Sequence, residues 1–243
     1  IKRQWRRCGG LCLVRLGKGL LRYAQDTVDI EMKILVACEE SQRVCKAFRA
    51  KGHEAYSCDI EFCSGNAPQW HIWEDVTPLI NGKCEFLTCD GQKHYVEQWD
   101  MLIAFPPCTY LSTAGGCNLY KNGVLDEERV AKGKQAAEFF YKFYNADCPR
   151  IVIENPVPIK MFGLPEPTQR VEPYMFGVPV SKTTCLWLKG VRRICPTKVI
   201  KPQYTFNEYP LFKNSHGKYK QKNRSKTFEE VAAAMALSWG DLT

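Results

Sequence analysis

Cys108 follows two prolines in Met101-Leu102-Ile103-Ala104-Phe105-Pro106-Pro107-Cys108-Thr109. The prolines fix the backbone before the thiol, and the apolar run before them has the pattern of a buried strand. A thiol held at a rigid strand end acts as a nucleophile if its pKa is lowered; otherwise it is a small buried hydrophobe. A second apolar run, Ile151–Ile153, ends in Glu154-Asn155-Pro156. A carboxylate there hydrogen-bonds the edge of a heterocycle, or stabilises a protonated ring nitrogen and makes the ring more electrophilic. Ile34–Cys38 leads into Glu39-Glu40-Ser41, and Ala55–Cys58 into Asp59-Ile60-Glu61. An acid after the second strand of an α/β unit accepts hydrogen bonds from ribose hydroxyls. Asp59 and Glu61 are therefore nucleotide-binding candidates, weighed against solvated loop acids. Ligands of open α/β sheets bind beyond the carboxyl ends of the strands, so four such ends imply one site.

The elements that must hold these residues alternate. Ser41 is expected to cap a helix running to Lys51, with Val44, Ala47 and Phe48 on one face and Gly52 as its stop. Cys84–Cys89 and Lys93–Glu97 flank Asp90-Gly91, a hairpin signal. Asp126–Tyr144 reads as a long helix, Cys185–Leu188 as a strand, and Thr227 as the cap of a last helix, Phe228–Trp239. Strand-helix alternation predicts an α/β fold with a mostly parallel central sheet covered on both faces. The stretches 156–183 and 190–226 read as irregular and form the expected working rim.

These motifs resemble those of the DNA cytosine-5 methyltransferases. Pro107-Cys108 resembles their catalytic Pro-Cys motif, and Glu154-Asn155-Pro156 their Glu-Asn-Val motif. Asp59 resembles the acid that holds the ribose of S-adenosylmethionine, and Glu74-Asp75-Val76 the segment whose Asp faces the adenine. Arg224-Ser225-Lys226-Thr227 and the final helix resemble the last motif, which returns to the cofactor pocket. The order matches over about residues 33–240. The chain is similar, more closely, to small phage and prophage proteins called cytosine methyltransferase-like. With these it shares Pro-Pro-Cys-Thr, Glu-Asn-Pro, and the run Pro173-Tyr174-Met175-Phe176-Gly177 to Lys182-Thr183-Thr184-Cys185-Leu186-Trp187.

The resemblance implies a Rossmann-like S-adenosylmethionine-dependent methyltransferase fold with a small basic recognition insertion. It implies a double-stranded DNA substrate with the target base flipped out of the stack. Cys108 attacks C6 of the cytosine, Glu154 pairs with the N3/N4 edge, and Lys182 stands where the family has an arginine. C5 then takes the sulfonium methyl, a base removes the C5 proton and Cys108 leaves. The cofactor set it implies is Glu39, Ser41, Asp59, Glu61, Asp75 and Pro106, with no metal. The first motif reads Ala37-Cys38-Glu39-Glu40-Ser41-Gln42-Arg43 where the family is glycine-rich. Glu39 and Glu40 are then the candidates for the methionine ammonium. The double proline also resembles the amino-methyltransferases, which attack through an exocyclic amine and need no cysteine. An enzyme modifying another base atom or a nucleotide, and an inactive nucleic-acid-binding module, therefore stand as alternatives.

Composition agrees with a globular chain of 243 residues, with 34 Lys+Arg against 26 Asp+Glu and a formal charge of +8. At 45% hydrophobic residues, disorder, collagen and coiled coil are excluded. No apolar run approaches the ~18 residues of a membrane span. The charge is uneven. Residues 1–31 carry +4 and residues 213–226 carry +6, leaving a body of −2. The first segment is expected to be a tail, or an upstream in-frame translation, ahead of a single domain over 32–243. A basic DNA-binding arm is the alternative. The second holds Lys213, Lys218, Lys220, Lys222, Arg224 and Lys226 inside the recognition segment 190–226. These are expected to contact phosphates, with Tyr204, Phe206 and Tyr209 as stacking faces. Thirteen cysteines without a Cys-x-x-Cys pair or a secretory signal fit free thiols and a cytoplasmic location, in a bacterial host or encoded by a phage.

Overall fold

The computed structural model describes residues 7–8, 11–16, 19–22, 31–213 and 223–241. Residues 1–30 cluster as a unit of their own. Within it Arg7–Cys8, Leu11–Leu16 and Gly19–Arg22 pair antiparallel in chain order. The rest of the chain, from Glu31 onward, is the second unit.

That unit is built on seven strands: β1 (Lys33–Ala37), β2 (Glu54–Asp59), β3 (His71–Trp73), β4 (Met101–Ala104), β5 (Ile151–Pro156), β6 (Gln169–Val171) and β7 (Thr184–Lys189). Their order across the sheet is β6-β7-β5-β4-β1-β2-β3. β5, β4, β1, β2 and β3 pair in parallel, and β7 runs antiparallel to both β5 and β6. The chain starts in the middle, winds outward through β2 and β3, then returns to β4 on the other side of β1. The reversal between β1 and β4 is the topological switch point where doubly wound sheets bind ligands. This is the mostly parallel, Rossmann-like α/β architecture expected of the methyltransferase fold.

The apolar pattern of the central strands explains the layers. Ile34 and Val36 of β1 with Met101 and Ile103 of β4 face one side; Leu35, Ala37, Leu102 and Ala104 face the other. Both sets are fully buried, as a parallel sheet requires. Helix α1 (Arg43–Arg49) and α3 (Glu229–Trp239) cover the first side through Val44, Phe48, Val231 and Met235. Helix α2 (Glu127–Tyr144) covers the second through Ala137, Phe140 and Phe143. Asp126 caps α2, accepting the Arg129 backbone N–H at 3.2 Å. Among the described residues no helix is long and apolar enough to cross a membrane.

Two short strands, β3 and β6, lie in stretches whose sequence lacks a clean alternation. The helix after β1 is also shorter than the 41–51 expected. Ser41 does not cap it; Gln42 stands at that position in the left-handed conformation, φ 58°. The hairpin, strands β4, β5 and β7 and the last helix lie where the pattern puts them, within a few residues.

Gly190 closes the turn leaving β7 at φ +65°, where a Cβ would lie 2.0 Å from the Pro149 carbonyl oxygen. Gly190→Ala meets both left-handed strain and a backbone clash. It should lower unfolding free energy by about 2 kcal/mol or more. Urea denaturation checks this; an unchanged midpoint would contradict that turn.

Candidate active site at the carboxyl edge of the sheet

Parallel pairing of β4 and β5 aligns Leu102 with Ile151, Ile103 with Val152 and Ala104 with Ile153. The chains that leave the two strands therefore emerge side by side. One is Phe105-Pro106-Pro107-Cys108 and the other is Glu154-Asn155-Pro156. Asn155, 1% exposed, ties them: its Nδ2 donates to the Pro106 carbonyl at 2.8 Å. Beyond the prolines the Cys108 carbonyl accepts the backbone N–H groups of Leu111 and Ser112 at 3.1 and 2.9 Å. The half-buried thiol thus sits at the start of a hydrogen-bonded turn.

Glu154 is half-buried and lies within the field of Lys182, and the Thr184 hydroxyl beside it lowers its carboxyl pKa. Desolvation nonetheless holds its carboxyl above the ordinary range. Glu154, Glu172, Lys182, Thr184, Ser225 and Lys226 line one pocket. Glu172 organises the turn before β7: its carboxylate accepts the Lys182 backbone N–H at 2.7 Å and the Thr183 hydroxyl at 2.5 Å.

The Cys108 thiol is also pushed up, first by burial and then by the negative charge of Glu154. Lys182 and Arg224 pull it back. The sequence makes a nucleophile of this thiol only if its pKa is lowered; in this arrangement the pKa is raised and the protonated thiol is the resting form. The two groups are coupled, because removing the charge of Glu154 lowers the cost of a thiolate at Cys108.

On the β1 side, Glu39 is 5% exposed and folds back into the first turn of α1. Its Oε1 accepts the Val44 N–H at 2.6 Å and its Oε2 the Cys45 N–H at 3.1 Å, while the Ser41 hydroxyl donates to Oε1 at 3.5 Å. Glu39 therefore does the capping expected of Ser41. Burial outweighs those hydrogen bonds and pushes its carboxyl up to about 7. Glu40 pairs with Lys226 at 3.7 Å, and Lys226 also donates to the Ser64 hydroxyl at 3.0 Å. Ser41 and Lys226 share a second cleft with Arg43 and Lys46. The turn needs left-handed backbone at Cys38 (φ 59°) and Gln42. The buried Gln42 side chain is held by Ala67, donating to its carbonyl at 2.8 Å and accepting its N–H at 3.1 Å.

At the ends of β2 and β3, Asp59 Oδ1 accepts the Glu61 N–H at 2.9 Å, and Asp75 Oδ1 accepts the Thr77 N–H and hydroxyl, both at 2.9 Å. Both acids act on the Cys38 thiol and raise its pKa together with burial, so the ends of β1, β2 and β3 converge. Burial also holds Asp59 above its ordinary range. His71 braces this edge from beneath. Its Nε2 donates to the Glu61 carbonyl at 3.0 Å, which leaves Nδ1 to accept the Ser57 hydroxyl at 2.8 Å. Ile60, Phe62 and Trp73 stand exposed beside the acids, 77%, 52% and 60% accessible, and Phe62 and Trp73 meet edge-to-face at 5.5 Å. Carboxylates for hydroxyls next to an apolar platform for a flat heterocycle form a donor set that fits an adenosine.

Of the residues expected to act, the strand register brings Cys108, Glu154, Pro106 and Lys182 together, and Asp59 and Asp75 gather at the neighbouring strand ends. Glu61 contributes its backbone carbonyl to the brace. Lys213 ends the short helix Pro210–Lys213. Lys218, Lys220 and Lys222 lie outside the described residues. Asn155 and Thr184 fall inside quoted motifs but had no role assigned, and Glu172 was not singled out; only its position at a strand end could have marked it. Tyr204, Phe206 and Tyr209 are half-buried in an aromatic cluster: Phe206 packs on Phe212 at 4.7 Å, Tyr209 meets Phe212 and Phe228 at 5.6 and 6.0 Å, and Tyr204 meets Tyr209 at 5.8 Å.

No family model matches the chain, and no curated protein is similar to it. Among solved structures it is similar to a candidate DNA modification methyltransferase encoded within an E. coli prophage, at 11% identity and a TM-score of 0.40. The match covers 77% of this chain and 56% of that one, so the chain spans little more than half the length of that protein. The fold class rests on the strand order above, not on this match.

Because the folded carboxyl of Glu39 sits above its unfolded value, its contribution to stability is full below about pH 4.5 and is lost as pH rises through about 7. Glu39→Gln keeps an acceptor for α1 and removes that titration. Urea unfolding from pH 4.5 to 8 should show the variant gaining on the parent as pH rises. Parallel curves would contradict the buried, late-titrating carboxyl.

Proposed function

We propose that the protein is an S-adenosylmethionine-dependent methyltransferase acting on DNA, and more finely on C5 of cytosine. The observation that carries this reading is the pairing of a thiol and a desolvated carboxyl at the ends of two adjacent parallel strands, beside a cation. The likeness to the cytosine-5 methyltransferase motifs supports it, as does an adenosine-type donor set at the ends of β2 and β3 on the same edge of the sheet.

The cofactor would supply an electrophilic sulfonium methyl. Asp59 and Asp75 suit its ribose and adenine, Ile60 and Trp73 its ring faces, and Glu40 its ammonium, once Lys226 yields that carboxylate. Glu39 serves α1 in this reading, and Ser41 steadies Glu39.

On this reading the chemistry belongs to Cys108 and Glu154. The Cys108 sulfur bonds to C6 of a flipped cytosine while Glu154 holds the N3/N4 edge. Because each charge disfavours the other, the proton that leaves the thiol is best accommodated between Glu154 and N3, which neutralises the carboxylate as the thiolate forms. Lys182 then offsets the charge that remains. C5 takes the methyl, the C5 proton is lost to a base, and elimination releases Cys108. The basic run with Lys213, Lys218, Lys220, Lys222 and Arg224 would track phosphates, so affinity should fall steeply with salt. The raised Cys108 thiol is what favours a second reading, amine methylation with an inert cysteine.

The test is mass spectrometry of nucleosides from duplex DNA incubated with the protein and methyl-labelled cofactor. Labelled 5-methylcytosine is expected, lost in Cys108→Ser and reduced by roughly 10²–10⁴-fold in Glu154→Gln. Label on an exocyclic amine, undiminished in Cys108→Ser, would overturn the cytosine-5 reading. No label in any nucleoside would overturn both readings.

A further inference from the structure

Phe206 lies in the recognition segment, and its ring is already occupied by two cations. The Lys182 ammonium lies 4.5 Å from the ring centroid and the Arg224 guanidinium carbon 5.1 Å. The ring packs on Phe212 at 4.7 Å, which fixes it in place. The same two cations act on the Cys108 thiol, and Lys182 lines the pocket of Glu154.

Two long basic side chains brought to one spot repel each other and lose rotamer freedom. Something must hold them. The negative face of an aromatic ring does so without supplying a charge that would cancel theirs. A carboxylate in that position would hold the cations as well, but would neutralise the field they exert on the thiol. Arg224 has one further hold, donating to the Asn207 side-chain oxygen at 2.9 Å.

We propose that Phe206 is a positioning residue that holds Lys182 and Arg224 at the catalytic pocket, so that the recognition segment sets the reactivity of Cys108. This rests on the reading of Cys108 as nucleophile. The charged groups acting on its thiol are Glu154 from β5, Lys182 from the turn before β7, and Arg224 from the segment before α3. The ring acts only through the two cations.

The test is the pH profile of iodoacetamide alkylation of the full chain, read at the Cys108 peptide by mass spectrometry. Phe206→Leu keeps apolar contact with Phe212 and removes the π face. Its alkylation midpoint should rise by about one pH unit, with roughly five- to tenfold slower alkylation at pH 8. Phe206→Tyr should keep the parent midpoint. In a Lys182→Met/Arg224→Met background, Phe206→Leu should add nothing. A parent-like midpoint in Phe206→Leu, or an equal further rise in the cation-free background, overturns the proposal. If Phe206→Leu does not fold by circular dichroism, Phe206→Met takes its place: a raised midpoint supports the clamp and an unchanged one overturns it. The readout needs neither DNA nor methyl donor. Failure of the clamp and failure of the methyltransferase reading therefore register in separate experiments.

Discussion

The hydrogen bond from the Asn155 amide to the Pro106 carbonyl is the constraint on which the site depends. Prolines cannot donate, so the segment 106–107 has no backbone N–H with which to join a ladder. Parallel pairing of β4 and β5 ends at Ala104 and Ile153. Beyond that point Phe105 still bonds to β1 and residues 154–156 still pair with β7, but the two chains meet again through backbone only at Thr113 and Val157 and at Leu111 and Ile159. Asn155 supplies the link from a buried position, and the thiol at 108 and the carboxyl at 154 are registered against each other as a result.

Electrostatics follow from the same geometry. Two groups that are neutral when protonated and anionic when not are placed in a desolvated pocket, with one lysine and one arginine nearby. Burial raises both, and a charge on Glu154 raises the thiol further. The cations make a single charge tolerable. Such a site does not hold a preformed thiolate. It favours the thiolate when a proton lies on the Glu154 side; under the proposed function, that would link nucleophile formation to occupancy of the carboxyl edge by a heterocycle.

The central sheet was legible because its strands are continuous apolar runs punctuated by Pro, Gly and acids. Cys108 and Glu154 were legible for the same reason, as unusual residues at the ends of those runs. What stayed hidden depends on contacts far apart in sequence. Glu39 looked like a ligand group, but the backbone N–H groups of Val44 and Cys45 claim it. The first motif lacks glycine, and nothing in its sequence shows that Gln42 adopts left-handed backbone and is held there by Ala67, 25 residues away. Strands β3 and β6 are three residues each, too short for a period to show. The aromatics of the recognition segment looked like stacking faces because composition cannot show that they pack on one another and that two cations cover the Phe206 ring.

The most direct measurement of the central claim is covalent trapping on a duplex bearing 5-fluorocytosine, in the presence of the methyl donor. If Cys108 and Glu154 form the proposed pair, the protein should form a denaturant-stable adduct with its crosslink on the Cys108 peptide. Glu154→Gln should slow its formation, and Cys108→Ser should abolish it. Turnover of cytosine to 5-methylcytosine with no adduct, or an adduct on another cysteine, would contradict the account.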